Sequence, residues 1–577
     1  MRHAFMRMSL IIAAIITIAA CGGVKEKVET SVVDEEEAMS WQEKADEFLD
    51  EYQKDFAAAE IVQTKAYWKA ANSGKKEDFD AFAAAELALK KLHSCPDKFA
   101  AIEELLTAKD ALEPLTVRAL EVAFLDFKGN QLPDEMLEKM VGLSTDIEKT
   151  FNTFRGVIDG KKLSNNDLLE MLRDEDKTAK RKVIWETLKQ VGAAVGPKLI
   201  DLARIRNEAA TKLGYKNFWE MKIRLQEHDP AGLLAIFDEL EKLTDKPFKE
   251  MKTELDKELA KRFKTKPGEM MPWHYDNPFF QAAPPSSKID LDVFFKDKKK
   301  EDIAELARKF YADISLPADD LIERSDLYER EGKDQHAFCI DIDRQGDVRT
   351  LLNVKPTADW METMLHELGH AVYDKFLDRN LPFNLREAAH ILTTEGVAML
   401  FGALGKSPTW LVDYAGVDSN LVQKNRGAIL EQRRREQLIF ARWTMVMLHF
   451  EKALYEDPNQ DLNKLWWDYV ERFQLLTRPE GRDATDWAAK PHFTIAPVYY
   501  HNYMLGELFA SQLRGVLGEK AGHKEHNSDL SFTGRKDFGE FLVREVFRPG
   551  KTKPWPEFVK EATGKDLEAR YFALELQ

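Results

Sequence analysis

A mostly helical protein with one short β-hairpin is what this 577-residue chain predicts. Helical periodicity dominates from Trp41 onward, one stretch around residues 336–354 alternates in strand fashion, and no fixed-period repeat or long linker divides the chain. Length alone would suggest several domains. With no boundary marked, residues 41–577 read as one large helical body split by a cleft.

In chain order, Arg2, His3 and Arg7 precede an apolar run from Leu10 to Ala20 that ends Ile18-Ala19-Ala20-Cys21. A basic start, an apolar core too brief to span a bilayer and small residues before a cysteine predict a lipoprotein signal over residues 1–20, with lipid on Cys21. Gly22, in place of Asp, resembles lipoproteins sent to an outer membrane where a cell has two. Residues 21–40, with acidic Asp34 to Glu37, read as a disordered tether. The expected location is therefore outside the cytoplasm, lipid-anchored at a bacterial cell envelope. Removing residues 1–20, with two Arg and no acid, moves the formal charge from −16 to −18. So acidic a body gives no support for binding nucleic acid or anionic membranes. With Cys21 assigned to lipid, Cys95 and Cys339 remain, and their pairing is left open.

Further helices are expected at Trp41 to Lys75, Asp134 to Gly156, Ala231 to Arg262 and Ser419 to Tyr455. His336 to Asp343 and Val348 to Val354 alternate like strands about a turn at Arg344-Gln345-Gly346. Such a hairpin offers a free edge to an extended peptide.

Asp359 to Phe376 then reads as an amphipathic helix carrying His366-Glu367-x-x-His370. At i and i+4 the two imidazoles share a helix face and can share a zinc ion, and Glu367 stands beside them where the attacking water would lie. The motif sits among Met361, Met364, Leu365, Leu368, Ala371 and Val372, so its polar groups need a partner to offset desolvation. Gly369 costs about 1 kcal/mol relative to Ala, which makes sense if something approaches closely.

A third ligand is expected from a second helix, capped by Asn384 and running through Glu395 to about Leu404. Glu395 is an isolated carboxylate in an apolar run, costly unless paired or bound to metal. Gly396, Ala398 and Gly402 would let this helix pack tightly on the first. Glu387 is the competitor, but it falls in the first turn, where the helix dipole already explains a carboxylate. One zinc per chain is expected. In Lys490-Pro491-His492 and Tyr499-Tyr500-His501-Asn502-Tyr503, His492 and Tyr503 are candidate donors to an oxyanion, and Tyr499 reads as a core aromatic.

These landmarks resemble the angiotensin-converting-enzyme family of zinc peptidyl-dipeptidases. His336-Ala337, Asp341, Asp347, Arg349, the His366–His370 motif, Arg386-Glu387 and Glu395 fall at the family's spacings. Lys490-x-His492 and Tyr500-x-x-Tyr503 follow, the tyrosines one residue farther from His492 than expected. Weaker echoes at Ala66-Tyr67-Trp68, Asn207 through Trp219 and Lys553 to Pro556 extend the likeness over nearly all of the mature chain. The resemblance implies a helical ellipsoid with a deep central channel roofed by N-terminal helices. It implies zinc on His366, His370 and Glu395, Glu367 as general base then acid, and His492 and Tyr503 at the oxyanion. It also implies His336 and the Ala337 backbone on the substrate chain, with Lys490, Tyr500 and Gln281 on its terminal carboxylate. Oligopeptides losing C-terminal dipeptides are the implied substrates. An oligoendopeptidase, a single-residue carboxypeptidase and a non-catalytic peptide-binding lipoprotein are the rivals.

Three departures stand out. Gln335 and Asn353 occupy the places of a frequent disulfide pair. Met399 stands where an Asp often braces a zinc histidine, so the brace must come from elsewhere. Asn502 replaces an Arg associated with chloride, which argues against chloride activation.

Overall fold

In the computed structural model, residues 39–285, 289–524 and 526–576 are described. The expected signal peptide, Cys21 and nearly all of the tether lie outside them. Helices dominate, and the strands among the described residues form two antiparallel hairpins, Gly156–Ile158 with Lys161–Leu163 and Phe338–Asp341 with Val348–Leu351. The expected helices appear as Trp41–Ser73, Asp134–Thr153, Pro230–Phe263 and Ser419–Glu456. Ser40 starts the first with a reciprocal capping box to Glu43, and Gly74 ends it in the left-handed conformation.

The N-terminal helices hold an apolar cluster of their own, built on Leu49, Tyr52, Phe56, Leu120 and Phe127, which meets the body through Phe383 and Leu385. Most other buried side chains form one continuous core. The helix bearing the motif, Ala358–Lys375, is capped by Thr357 and packs under the second hairpin. On its other side lies the helix bearing Glu395, Ile391–Gly402.

Two close approaches set this packing. A Cβ on Gly369 would lie 2.8 Å from Ala398 Cα, so only glycine lets the two helices cross there. Gly396 faces elsewhere than expected: its added Cβ would strike Phe509 and the Gly506 carbonyl of the helix His501–Lys520. The Glu395 helix is thus clamped between two neighbours.

Its start also corrects the sequence reading. Asn384 does not cap it; its buried amide donates to the Ala119 carbonyl of an N-terminal helix, and Phe383–Leu385 is a separate short turn. His390 is the cap, its Nδ1 accepting from Leu392 N–H. Glu387 consequently lies outside the helix, bound instead to Lys551 at 2.9 Å with Arg344 at 3.7 Å.

Candidate metal centre and cleft

His366 and His370 lie on one face of their helix with Nε2 atoms 3.3 Å apart, and Glu395 Oε2 stands 3.7 and 4.0 Å from them. A tetrahedral zinc about 2.05 Å from each donor would hold them about 3.3 Å apart. The imidazoles already meet that spacing, and the carboxylate needs a shift of about half an ångström. Among the described residues this is the one cluster of three or more His, Cys, Asp or Glu side chains close enough to share a metal. Burial pushes His366 down to about 4 and His370 well below the usual imidazole range, helped by His366. Both rings are thus neutral, the form that binds a metal. Glu387, the competitor, is excluded by place: burial opposes its charge, but Lys551 and Arg344 hold it at about 2.

The His370 ring is braced by a residue the sequence reading passed over. Its Nδ1 lies 2.6 Å from Thr394 Oγ1, one position before Glu395. Burial, with the charge of Glu395, pushes Glu367 up to about 8. Cys339, half-buried in the hairpin strand Phe338–Asp341, lies near enough to feel Asp374 and Glu367. Ala337 immediately precedes that strand and is half-buried. The other hairpin strand has its outer edge covered by Asp326 and Leu327. The His336 ring, by contrast, is exposed, with the Asp334 carboxylate 3.3 Å from its Nδ1. In place of the family's disulfide, buried Asn353 donates to the Asp334 carbonyl, while buried Lys333 donates to Asp326 and to the Tyr328 and Leu352 carbonyls.

The segment 490–503 is assembled around Tyr500. Lys490 Nζ donates to Gln281 Oε1 at 2.6 Å and faces the rings of Tyr500, Trp443 and Phe279. No ion-pair partner of Lys490 occurs among the described residues. Burial lowers its ammonium to about 7. The His492 and Tyr500 ring centroids are 5.0 Å apart, and those of Tyr500 and Tyr503 are 5.3 Å apart. Burial, then the Lys490 charge, takes His492 down to about 4. Tyr503 is raised by burial and then by the charge of Glu395. Tyr499, read as a core aromatic, feels Glu395 as well and packs 5.2 Å from Tyr503.

The turn before Tyr500 is strained. Val498 has φ +54°, a strained value for a β-branched residue. Two bonds hold it: its N–H donates to Glu451 and its carbonyl accepts from Gln226 Nε2. Such strain persists only where neighbours over-determine it. Gln226 also accepts from the Asn502 amide at 2.7 Å, and His228 Nε2 lies 3.2 Å from Asn502 Oδ1.

A helical body in which two histidines and a carboxylate converge from adjacent helices defines the class: an α-helical protein with a His-His-Glu cluster placed to hold a metal. Within that class the family is settled by sequence: the chain belongs to the angiotensin-converting enzyme family, whose sequence model matches residues 39–573. It is similar to the angiotensin-converting enzyme of Mesocricetus auratus, 21% identical over 69% of this chain and 32% of that protein. It is similar too to the angiotensin-converting enzyme-like protein Ace3 of Mus musculus, 23% identical over 75% of this chain and 62% of that one. The match to the rat enzyme, 22% identical, covers 52% of this chain and 24% of the enzyme. The chain thus spans about a quarter to a third of the length of the rat and hamster relatives.

Proposed function

We propose that this protein is a zinc peptidase that releases dipeptides from the free C-terminus of oligopeptides. One observation carries the reading: a cation without an ion-pair partner among the described residues, Lys490 with Gln281, is linked through Tyr500 to His492 and Tyr503, and Tyr503 lies near enough to Glu395 to feel its charge. Zinc held by those three residues would supply a Lewis acid that makes water nucleophilic near neutral pH. Glu367, on the same helix, takes the proton of the attacking water and returns it to the leaving amine. His492 and Tyr503 donate to the oxyanion on the scissile carbonyl, each donor worth roughly 10²–10³ in rate. Lys490, Gln281 and Tyr500 hold the terminal carboxylate at a fixed distance from the metal, two residues by the family resemblance. Ala337 presents backbone to the substrate chain, with His336 beside it at the rim. On this reading the chain is exported and lipid-anchored through Cys21.

The test is hydrolysis of an N-terminally blocked oligopeptide by purified protein with zinc, with a chelator, and as Glu367→Gln. The expected result is turnover only with zinc, and loss of nearly all turnover in Glu367→Gln with zinc content unchanged. Peptide binding without hydrolysis by the wild type would favour a non-catalytic binding protein. Membrane release of a Cys21→Ser variant tests the anchor, and unchanged processing and retention would refute it.

A further inference from the structure

Lined in part by Thr394 and Tyr499, a cavity of about 560 Å³ opens between the helix Phe218–Leu225, the N-terminal helix Pro114–Lys128 and the loop before Tyr500. Tyr503 packs between Tyr500 and Tyr499. A peptide with its C-terminal carboxylate at Lys490 and its scissile carbonyl at Tyr503 would, if it ran on past Tyr499, enter this cavity with the residues that precede the cut.

The charges on its wall are not balanced alike. Glu387 is matched by Lys551 at 2.9 Å, and Glu227 by a two-pronged bond from Arg118 at 2.5 and 3.0 Å. Asp126, pushed up to about 6 chiefly by burial, lies near Lys551 and Arg344 and bonds the Tyr52 hydroxyl. Lys222 alone among these lining groups has no ion pair or side-chain hydrogen bond among the described residues. The charged groups acting on it are Arg206, which repels it, and Glu451, whose carboxylate is engaged by Val498 N–H. A half-buried ammonium without a counter-charge gains from a carboxylate brought to it.

The geometry points to Lys222 as a specificity determinant that selects peptides with an acidic side chain, Asp or Glu, just N-terminal to the scissile bond. This rests on the peptidase reading above and narrows its substrates. The remainder of the wall, apolar from Ile495 to Val498, would hold the stem of that side chain.

The experiment uses N-terminally blocked peptides with one C-terminal dipeptide and a single Glu, Gln or Lys at each of the three positions before the expected cut. In the wild type, kcat/KM for Glu should exceed that for Gln about tenfold at one position, the scale of one charge-assisted hydrogen bond. Lys222→Gln should bring that ratio near one, and Lys222→Glu should favour Lys. A ratio near one at all three positions in the wild type, or a Glu preference that survives both substitutions, overturns the inference. The same ratios are read as affinities by calorimetry in the zinc-loaded Glu367→Gln variant. If no peptide is cleaved the peptidase reading fails, while the affinity ratio still decides on Lys222, with equal or undetectable binding of Glu and Gln peptides counting against it.

Discussion

Replacing Thr394 by Val keeps shape and removes one oxygen, the one 2.6 Å from His370 Nδ1. If His370 binds zinc through Nε2, its Nδ1 carries the proton, and the Thr394 hydroxyl accepts it. Valine leaves that N–H facing a methyl group in a half-buried site. An unsatisfied buried donor costs about 1–3 kcal/mol, and loss of such outer partners of metal-bound histidines weakens metal affinity about 10–100-fold. The two figures agree, since a factor of ten is about 1.4 kcal/mol. The assay is competition for zinc against a chromophoric chelator, with far-ultraviolet circular dichroism as a control on folding. Thr394→Val should bind zinc about 10–100-fold more weakly, and Thr394→Ser, which restores the oxygen, should recover most of the loss. Wild-type affinity in the folded valine variant would refute the brace.

Lys490, lowered to about 7 by burial, must be protonated to hold a carboxylate, so kcat/KM should fall as pH rises through that value. Lys490→Arg, charged throughout this range, should flatten the fall; an unchanged alkaline limb would contradict the assignment. Glu575 is fully buried against Arg514, Arg433 and His526, which hold its carboxyl well below the usual range despite burial. Glu575→Gln should lose about 3–5 kcal/mol at pH 7, read as a lower urea midpoint. Because the folded pKa is depressed, that stabilisation is complete above about pH 4.5 and drains away below it, so the gap from wild type should narrow only there. Chloride should change the peptidase rate little, since Asn502 carries no charge and its amide is already bonded to Gln226. A large rise at constant ionic strength would overturn this.

The clustering of His366, His370 and Glu395 was legible because its signals are local: a four-residue spacing on one helix and a lone carboxylate in an apolar run. Gly369 was legible for the same reason, as a glycine costly to a helix unless a neighbour crosses there. What the sequence hid is non-local. Asn384 and Glu387 looked like helix-start residues, yet one serves Ala119 and the other Lys551, 265 and 164 positions away. His390 caps the helix although imidazole is not among the usual capping side chains. Thr394 could be suspected only from its place beside Glu395, because one hydroxyl has no spacing signature. The strain at Val498 and the isolation of Lys222 depend on which distant groups fold against them, and no periodicity carries that information.

The most direct test of the account is the mass of the first product from one N-terminally blocked peptide, supplied with a free and with an amidated C-terminus. The free peptide should lose a C-terminal dipeptide first and then another. Amidation should lower kcat/KM about ten- to a hundredfold, the worth of hydrogen bonds from Lys490 and its partners to a charged carboxylate. Equal cleavage of both peptides, or a single amino acid or internal fragment as first product, would contradict the assignment of Lys490, Gln281 and Tyr500 as the stop that sets where the chain is cut.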